Sequence, residues 1–230
     1  MPSFGASLHL LLDHMWLGVA AALLFVAGLA TAGPVVRHDY RALMDFPLAV
    51  LRLVLRLIGP ELRAVRVFLV IFLFNASAIF LYMLSGVLVV VPAVVAFLTG
   101  VNIGVVMLKG GEIAVPGDDR PLASVLAPRE PSHVPRWVGR CGLLVLALEL
   151  PSFWISVGMG IGMARKLTAA GQYTLANMGA LVTERVHAYW MIILPALLLS
   201  AFAETAAIRG HTRAGGDEAA EPPGHDGEQP

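Results

Sequence analysis

Four polar side chains lie inside otherwise apolar stretches of this sequence, and they are the residues with the greatest capacity for chemistry. Two are carboxylic acids, Glu149 and Glu204, and two are carboxamides, Asn75 and Asn102. A charged side chain in hydrocarbon costs about 2.5–3.5 kcal/mol on insertion scales, so such residues face protein or water and mark ion paths, proton relays or substrate sites. The same side chains also serve as interhelical hydrogen-bond partners with a purely structural role. Both interpretations stay open.

The composition around these residues is that of a membrane protein. Of the 230 residues, 57% are hydrophobic and 14% are charged, whereas soluble chains contain about 25% charged residues. Mean hydropathy is +0.76. A water-soluble fold needs a surface of which about a quarter or more is charged, so this chain is expected in a bilayer. The single cysteine, Cys141, excludes an intrachain disulfide and a cysteine-rich metal site.

Five apolar stretches are long enough to cross a hydrocarbon core of about 30 Å, which needs about 20 helical residues. The uncharged tract 67–108 is about twice that length and must fold back, and Ser85-Gly86 is the predicted turn because glycine accepts the backbone angles of a tight reversal. The predicted spans are 15–36, 67–84, 87–108, 142–164 and 187–208. Three of them contain a proline that is expected to kink the helix, namely Pro92, Pro151 and Pro195. The predicted fold class is all-α, a polytopic membrane helix bundle.

Segment 37–66 is rich in arginine and predicts an amphipathic helix in the membrane interface. Apolar residues recur in it at helical spacing, and Arg52 and Arg56 share one face at i, i+4 spacing. We expect the apolar face in lipid and the arginines in the headgroup layer. Segment 109–140 is rich in proline and charge and is expected to be irregular. The acidic tail, 209–230, is predicted to be disordered because it has too little apolar surface to bury.

Basic residues are distributed unevenly around the predicted spans. Thirteen lie in 37–66, 109–140 and the tail, and three lie in the loop 165–186. The positive-inside rule therefore predicts an extracytoplasmic N-terminus, 1–14, and a cytoplasmic tail. Only two lysines accompany the many arginines, alanines, glycines and valines, which is typical of a GC-rich bacterium, so we expect a bacterial cell membrane.

With this topology the four polar side chains lie at similar depths. At about 1.5 Å per residue, each falls roughly 6–12 Å from the cytoplasmic boundary of its span. We therefore expect Asn75, Asn102, Glu149 and Glu204 to form one polar layer that links spans two to five.

Glycine pairs at i, i+4 spacing predict faces on which helix backbones approach closely. Gly100 and Gly104 form one pair in the third span, and Gly158 and Gly162 form another in the fourth; Gly86 belongs to the predicted turn. These faces indicate close packing with another helix or with a partner protein and carry no information about chemistry.

His9 and Asp13 are spaced to share a helix face near the N-terminus, beside His14. Two histidines and one aspartate without a further ligand make a poor metal site, so we interpret them as interfacial polar residues. The sequence contains no GxSxG, HExxH, P-loop or kinase motif. We therefore expect no metal, no cofactor and no nucleic-acid partner.

Four short motifs occur in order along spans two to five. They are FLFNASAIFLYMLSG, with Asn75 and Gly86; LTGVNIG, with Asn102 and Gly104; VLALELPSFWISVGMGIGMA, with Glu149, Leu150, Pro151 and Gly158; and SAFAETAA, with Glu204. Together they resemble the stage II sporulation protein M family of multi-pass membrane proteins over about residues 65–208. The pattern departs from the family at Val145, where the family has a histidine, so a role that needs this histidine is not carried over.

The residues and the resemblance together leave three functions open, and we expect the first because no catalytic motif is present and the extramembrane loops are small. The first is a non-enzymatic membrane subunit that assembles ABC transporter components or peptidoglycan-remodelling enzymes, or copies of itself, for envelope remodelling or antibacterial-peptide export. The second is a transporter or immunity protein for a modified peptide such as a circular one, because carboxylates and prolines within spans suit an ion or peptide path. The third is an intramembrane peptide-maturation enzyme in which Glu149 acts as acid or base and Asn75 and Asn102 orient the substrate.

Overall fold

The computed structural model describes residues 4–59, 63–114, 121–122, 136–171 and 173–214. Seven α-helices occur in these ranges: α1 Phe4–Arg37, α2 Arg41–Ile58, α3 Ala64–Leu84, α4 Val91–Lys109, α5 Arg136–Thr168, α6 Leu175–Ala188 and α7 Leu194–Ala214. The same ranges contain no strand beyond an isolated bridge between Ala114 and Pro121. The predicted all-α fold class is confirmed.

Five helical segments are long and apolar enough to cross a membrane, as the five predicted spans require. They are Phe4–Arg37, Ala64–Leu88, Val91–Glu112, Trp137–Thr168 and Leu175–Gly210. The first, fourth and fifth contain 34, 32 and 36 residues, and at about 1.5 Å per residue they exceed a hydrocarbon core of about 30 Å. The protein is therefore a multi-pass helix bundle whose longest helices extend beyond the apolar layer.

Helix α1 packs along α4 in the same direction, with the two backbones in contact. A Cβ atom on Gly28 would overlap the carbonyl oxygen of Phe97, and one on Gly100 would overlap the carbonyl oxygen of Phe25. Gly104 continues this face one turn further along α4, again against α1. The Gly100/Gly104 face is therefore covered within the chain.

Helix α5 crosses α1 in the opposite direction and also approaches it through glycine. The position of a Cβ on Gly158 lies 2.6 Å from the backbone nitrogen of Gly18, and a Cβ on Gly162 would overlap the imidazole of His14. The second glycine face is thus also used inside the bundle. Helix α1 therefore belongs to the packed core of the bundle.

The reversal between α3 and α4 begins at the predicted place, with a 3-10 turn over Ser85–Leu88. Gly86 is needed there for a different reason from the predicted one, because a Cβ on it would overlap the carbonyl oxygen of Gly160 in α5. The left-handed backbone angle in this turn belongs to Val89, with φ of 22°. Pro92 does not kink a span, since it lies in the first turn of α4, where its missing N–H breaks no intrahelical bond.

Helices α6 and α7 form one long span that is interrupted by a π-helical turn, Tyr189–Ile193. The N–H of Leu194 bonds to the carbonyl of Tyr189, five residues earlier, immediately before Pro195. Proline has no N–H, and its ring clashes with the carbonyl four residues earlier, so the wider turn accommodates it. Pro151 lies inside α5.

Helix α2 packs against α4 and α3 at the end of the bundle where α1 ends. Its buried residues are Met44, Pro47 and Ile58. A second stripe, formed by Phe46, Leu53 and Leu57, is apolar and exposed. Arg52 and Arg56 are exposed on a third side of the helix. These three sides fit a helix that contacts the bundle, lipid tails and headgroups at once.

Three boundaries differ from the predicted ones. The segment 1–14, predicted to precede the first span, is helical from Phe4 and continuous with α1. The loop 165–186 contains most of α6, and α7 continues to Ala214, inside the tail predicted to be disordered. The remaining tail and most of the loop predicted to be irregular lie outside the described residues, at 215–230, 115–120 and 123–135.

We expect Gly28→Ala to lower the free energy of unfolding by roughly 1–3 kcal/mol, because the added Cβ forces α1 and α4 apart. Denaturant unfolding in mild detergent measures the change. Gly33→Ala is the matched control on the same helix, since no atom lies within 4 Å of its Cβ position. The control should be neutral or stabilising by up to about 1 kcal/mol through helix propensity. Equal losses for the two variants would contradict the proposed tight approach at Gly28.

Candidate functional site

The polar residues inside the bundle meet at Glu149 of α5. The amide nitrogen Nδ2 of Asn75 in α3 donates a hydrogen bond of 2.8 Å to Oε1 of Glu149. The hydroxyl Oγ of Ser200 in α7 donates to the same oxygen over 2.9 Å. One carboxyl group therefore connects three spans through two direct bonds, and two of the predicted site residues are in contact.

Glu204 belongs to the same region of the bundle. It follows Ser200 by one helical turn on α7, so both side chains lie on one face of that helix. The carboxyl groups of Glu204 and Glu149 are near enough to interact electrostatically. In the part of the chain that the structure describes, the Glu204 carboxyl accepts no hydrogen bond, although the residue is partly buried. The two acids thus differ: one is held by two donors and the other by none.

Asn102 does not join this cluster. It lies on α4, whose main neighbours are α1 and α2 and which contacts α3 little. Gly100 and Gly104 of α4 face α1, and Asn102, two residues from each, lies toward roughly the opposite side of the helix. Its carboxamide makes no hydrogen bond within the described ranges. The predicted four-residue layer is therefore corrected to Asn75, Glu149 and Glu204, with Ser200 added.

Sequence reasoning missed Ser200, which is fully buried. A signal for it existed, because a small polar residue four positions before an intramembrane glutamate shares that glutamate's face. The four side chains Asn75, Glu149, Ser200 and Glu204 are called the Glu149 cluster below.

Two further features lie beside the Glu149 cluster. The hydroxyl of Tyr189 donates a 2.7 Å hydrogen bond to the carbonyl of Ala76, the residue after Asn75. Tyr189 also opens the π-helical turn, a local distortion that occurs frequently at functional sites. Among the described residues there is no group of three His, Cys, Asp or Glu side chains that could hold a metal ion. The cluster can therefore act as a hydrogen-bonded hub or as a site for a proton.

A second buried polar group, Arg185, was missed because the sequence assigned it to an extramembrane loop. The structure places it in α6 with no exposed surface. Its Nε donates to the carbonyl of Met159 over 3.1 Å, and its Nη1 donates to the carbonyl of Leu181 over 3.0 Å. Its Nη2 lies 3.4 Å from Nε2 of His14, whose Nδ1 lies 2.7 Å from the carbonyl of Leu10. Both histidine contacts are satisfied when Nδ1 carries the proton and Nε2 accepts.

This arrangement bears on the metal alternative for His9, Asp13 and His14. Both ring nitrogens of His14 are engaged, one with Arg185 and one with a main-chain carbonyl. A histidine ligand needs a nitrogen free to face the metal, so His14 is a poor ligand in this state. His9 and Asp13 are exposed, as polar groups of the interface would be, whereas His14 is buried against Arg185 inside the bundle, which corrects the interpretation for this residue.

We expect Asn75→Leu to lower the free energy of unfolding by roughly 0.5–2 kcal/mol, because it removes one of the two donors to Glu149 inside the bundle. Asn102→Leu is the matched control, since the same change on α4 breaks no hydrogen bond in the described chain. Denaturant unfolding of both variants in one detergent measures the difference. A loss for Asn102→Leu as large as that for Asn75→Leu would contradict the assignment of the Glu149 cluster.

Comparisons of the chain with protein-family models, with curated proteins and with solved structures found no match.

Proposed function

We propose that this chain is a non-enzymatic multi-pass membrane subunit that assembles partner proteins for cell-envelope remodelling or antibacterial-peptide export. The observation that carries the proposal is the pair of hydrogen bonds from Asn75 and Ser200 to Glu149. A carboxylate bonded to two other helices acts as a connection between them, as interhelical hydrogen bonds do in membranes. A general base, by contrast, must present its oxygen to a proton of the substrate.

Partner binding is assigned to α2. The glycine faces are occupied by α1 and are not open to a partner, so a partner must bind an exposed side of the bundle, for which we choose α2. Arg52 and Arg56 are exposed there, beside the apolar stripe of Phe46, Leu53 and Leu57. Arginine forms bidentate hydrogen bonds with carboxylates, so a partner with an acidic segment at the membrane surface fits this side of α2.

We further propose an extracytoplasmic N-terminus and a cytoplasmic C-terminus in a bacterial cell membrane. The ends of α1, α4 and α7 and the start of α5 share one end of the bundle with α2, and most of the basic residues flank those ends. Arg165 and Lys166 lie at the opposite end. Arg185 is buried inside the bundle and so no longer counts among the basic residues of a loop. The asymmetry supports this orientation through the positive-inside rule.

Kinship with the stage II sporulation protein M family remains part of the proposal. Three motif residues of that resemblance, Asn75, Glu149 and Glu204, belong to one cluster, which supports a shared structural role for the motifs. The resemblance suggests peptidoglycan-remodelling enzymes or ABC transporter components as partners, or further copies of the chain.

We expect Arg52→Glu/Arg56→Glu to reduce partner capture by about tenfold, because two charge-assisted contacts become repulsive. The measurement is affinity purification from the native host after cross-linking, with the candidate partner quantified by mass spectrometry. Arg165→Glu/Lys166→Glu is matched in charge change at the other end of the bundle and should capture as much partner as the wild type. A wild-type protein that purifies alone and monomeric in mild detergent would contradict the proposal.

One observation favours the transporter or immunity alternative. Glu204 is a partly buried acid near Glu149, and within the described chain no hydrogen bond holds its carboxyl group, which leaves this group available to bind and release a proton. If the chain conducts protons, Glu204→Gln reduces flux into proteoliposomes to the level of empty vesicles. Glu112→Gln, which removes an exposed acid paired with Lys109, is the control. Flux that is unchanged in Glu204→Gln would exclude this role for Glu204.

A further inference from the structure

A cavity of about 620 Å³ opens at the end of the bundle where α1 begins and α5 ends. Its volume is within the range of about 300–1,000 Å³ that is typical of small-molecule sites. Its polar lining consists of His9, Asp13, His14, Arg165, Lys166 and Glu184. Apolar residues of α1, Gly162 of α5 and Ala169 just after α5 complete the wall, so a ligand there meets both charged and apolar surface.

The cavity lies at the depth expected for lipid headgroups. Asp13 comes just before the uncharged stretch 15–36, and Arg165 and Lys166 come just after the apolar stretch 142–164. Because α1 and α5 run in opposite directions, these two boundaries meet at the same level. Helices of 34 and 32 residues are long enough to carry charged ends beyond the hydrocarbon core.

The cations around the cavity are not neutralised by the protein. The side chains of Arg165 and Lys166 are exposed and make no ion pair or hydrogen bond with the described part of the chain. Below them Arg185 is fully buried, and its one carboxylate neighbour among the described residues is Glu184, at 3.5 Å. The Glu184 side chain is 46% exposed, so it compensates the guanidinium weakly. A buried cation without a full counter-charge creates a positive potential that attracts an anion.

The wall of the cavity also contains negative charge. Asp13 makes no ion pair within the described ranges, and Glu184 touches only Arg185 at the limit of pairing distance. A ligand that carries a single anion leaves Asp13 unpaired. A ligand that carries a phosphate and an ammonium group complements both kinds of side chain.

We propose that this cavity binds the headgroup of a membrane phospholipid that carries a phosphate and a primary ammonium group. Arg165 and Lys166 bind the phosphate, Arg185 adds positive potential from below, and Asp13 binds the ammonium group. The acyl chains extend along the apolar surface of α1, on which Leu12 and Trp16 are exposed. This inference is independent of the proposed assembly of partner proteins at α2.

Gly162 gives the cavity its shape, because a Cβ at this position would overlap the imidazole of His14. Gly162→Ala must therefore displace the imidazole of His14, which lines the cavity and contacts Arg185. This variant changes the cavity without changing the charge of the protein.

The test is native mass spectrometry of the detergent-purified chain, titrated with phosphatidylethanolamine and, separately, with diacylglycerol of the same acyl chains. We expect one phosphatidylethanolamine to be retained and diacylglycerol to be lost. Arg165→Gln/Lys166→Gln should weaken retention about tenfold or more, because two charge-assisted contacts to the phosphate are removed. Gly162→Ala should weaken retention as well. Elution as a single species and an unfolding midpoint near that of the wild type establish that the variants fold.

Arg52→Gln/Arg56→Gln removes the same charge from two exposed arginines that do not line this cavity, so the lipid bound in the cavity should be retained as in the wild type. The site would be overturned if the two double variants lost phosphatidylethanolamine equally, or if the wild-type protein retained diacylglycerol as well as phosphatidylethanolamine. Equal retention of phosphatidylglycerol would overturn the role of Asp13, and Asp13→Asn should reduce the preference for ethanolamine over glycerol. If water-soluble glycerophosphoethanolamine displaced bound phosphatidylethanolamine at an equal concentration, the ligand would be the free headgroup and not the lipid.

Discussion

The close approach of α1 to α4 and α5 is the contact on which the rest of the structure depends. Between helices in lipid there is no hydrophobic driving force, so tight packing and hydrogen bonds hold the bundle together. Glycines on all three helices bring their backbones into contact, with Gly28 and Gly100 where α1 meets α4 and Gly18 and Gly158 where α1 meets α5. Because α1 is central, its N-terminal end also supplies His14 and Asp13 to the cavity beside α5.

Two polar centres are built on this packing, and they differ in how they are satisfied. The Glu149 cluster lies within the bundle and joins α3, α5 and α7 through hydrogen bonds between side chains. The Arg185 centre instead uses main-chain carbonyls and the imidazole of His14, and it borders an open cavity. In the first centre, side chains of the same chain supply both hydrogen bonds to Glu149, which favours a structural role. The second has cations without full counter-charges, which favours a ligand.

The surfaces of the bundle follow from the same arrangement. The spacing of the glycines is equally compatible with packing inside the bundle and with partner binding. Both glycine faces are used for packing inside the bundle, since α1 covers both. The amphipathic helix α2 presents exposed arginines next to exposed apolar side chains. A subunit that is held together internally by the Glu149 cluster and exposes α2 at one end of the bundle is the arrangement that the proposed assembly role requires.

Some features of this protein follow from the sequence alone because they depend on local composition. The number of spans, the helical fold class and the amphipathic helix all follow from the lengths of apolar runs and from residue spacing within one helix. Depth along a span is also a local property, and it correctly predicted that Asn75 lies at the level of Glu149. The sequence therefore determined what crosses the membrane and which polar residues share a depth.

Only the tertiary structure decided which side of each helix faces which neighbour. Asn75 and Asn102 have similar depth and identical chemistry, yet one bonds to Glu149 and the other lies on a helix that packs elsewhere. The burial of Arg185 and the contact of Gly86 with Gly160 have the same origin. In each case the outcome depends on the rotation of one helix against another, and this rotation is set by contacts between residues that are distant in the chain.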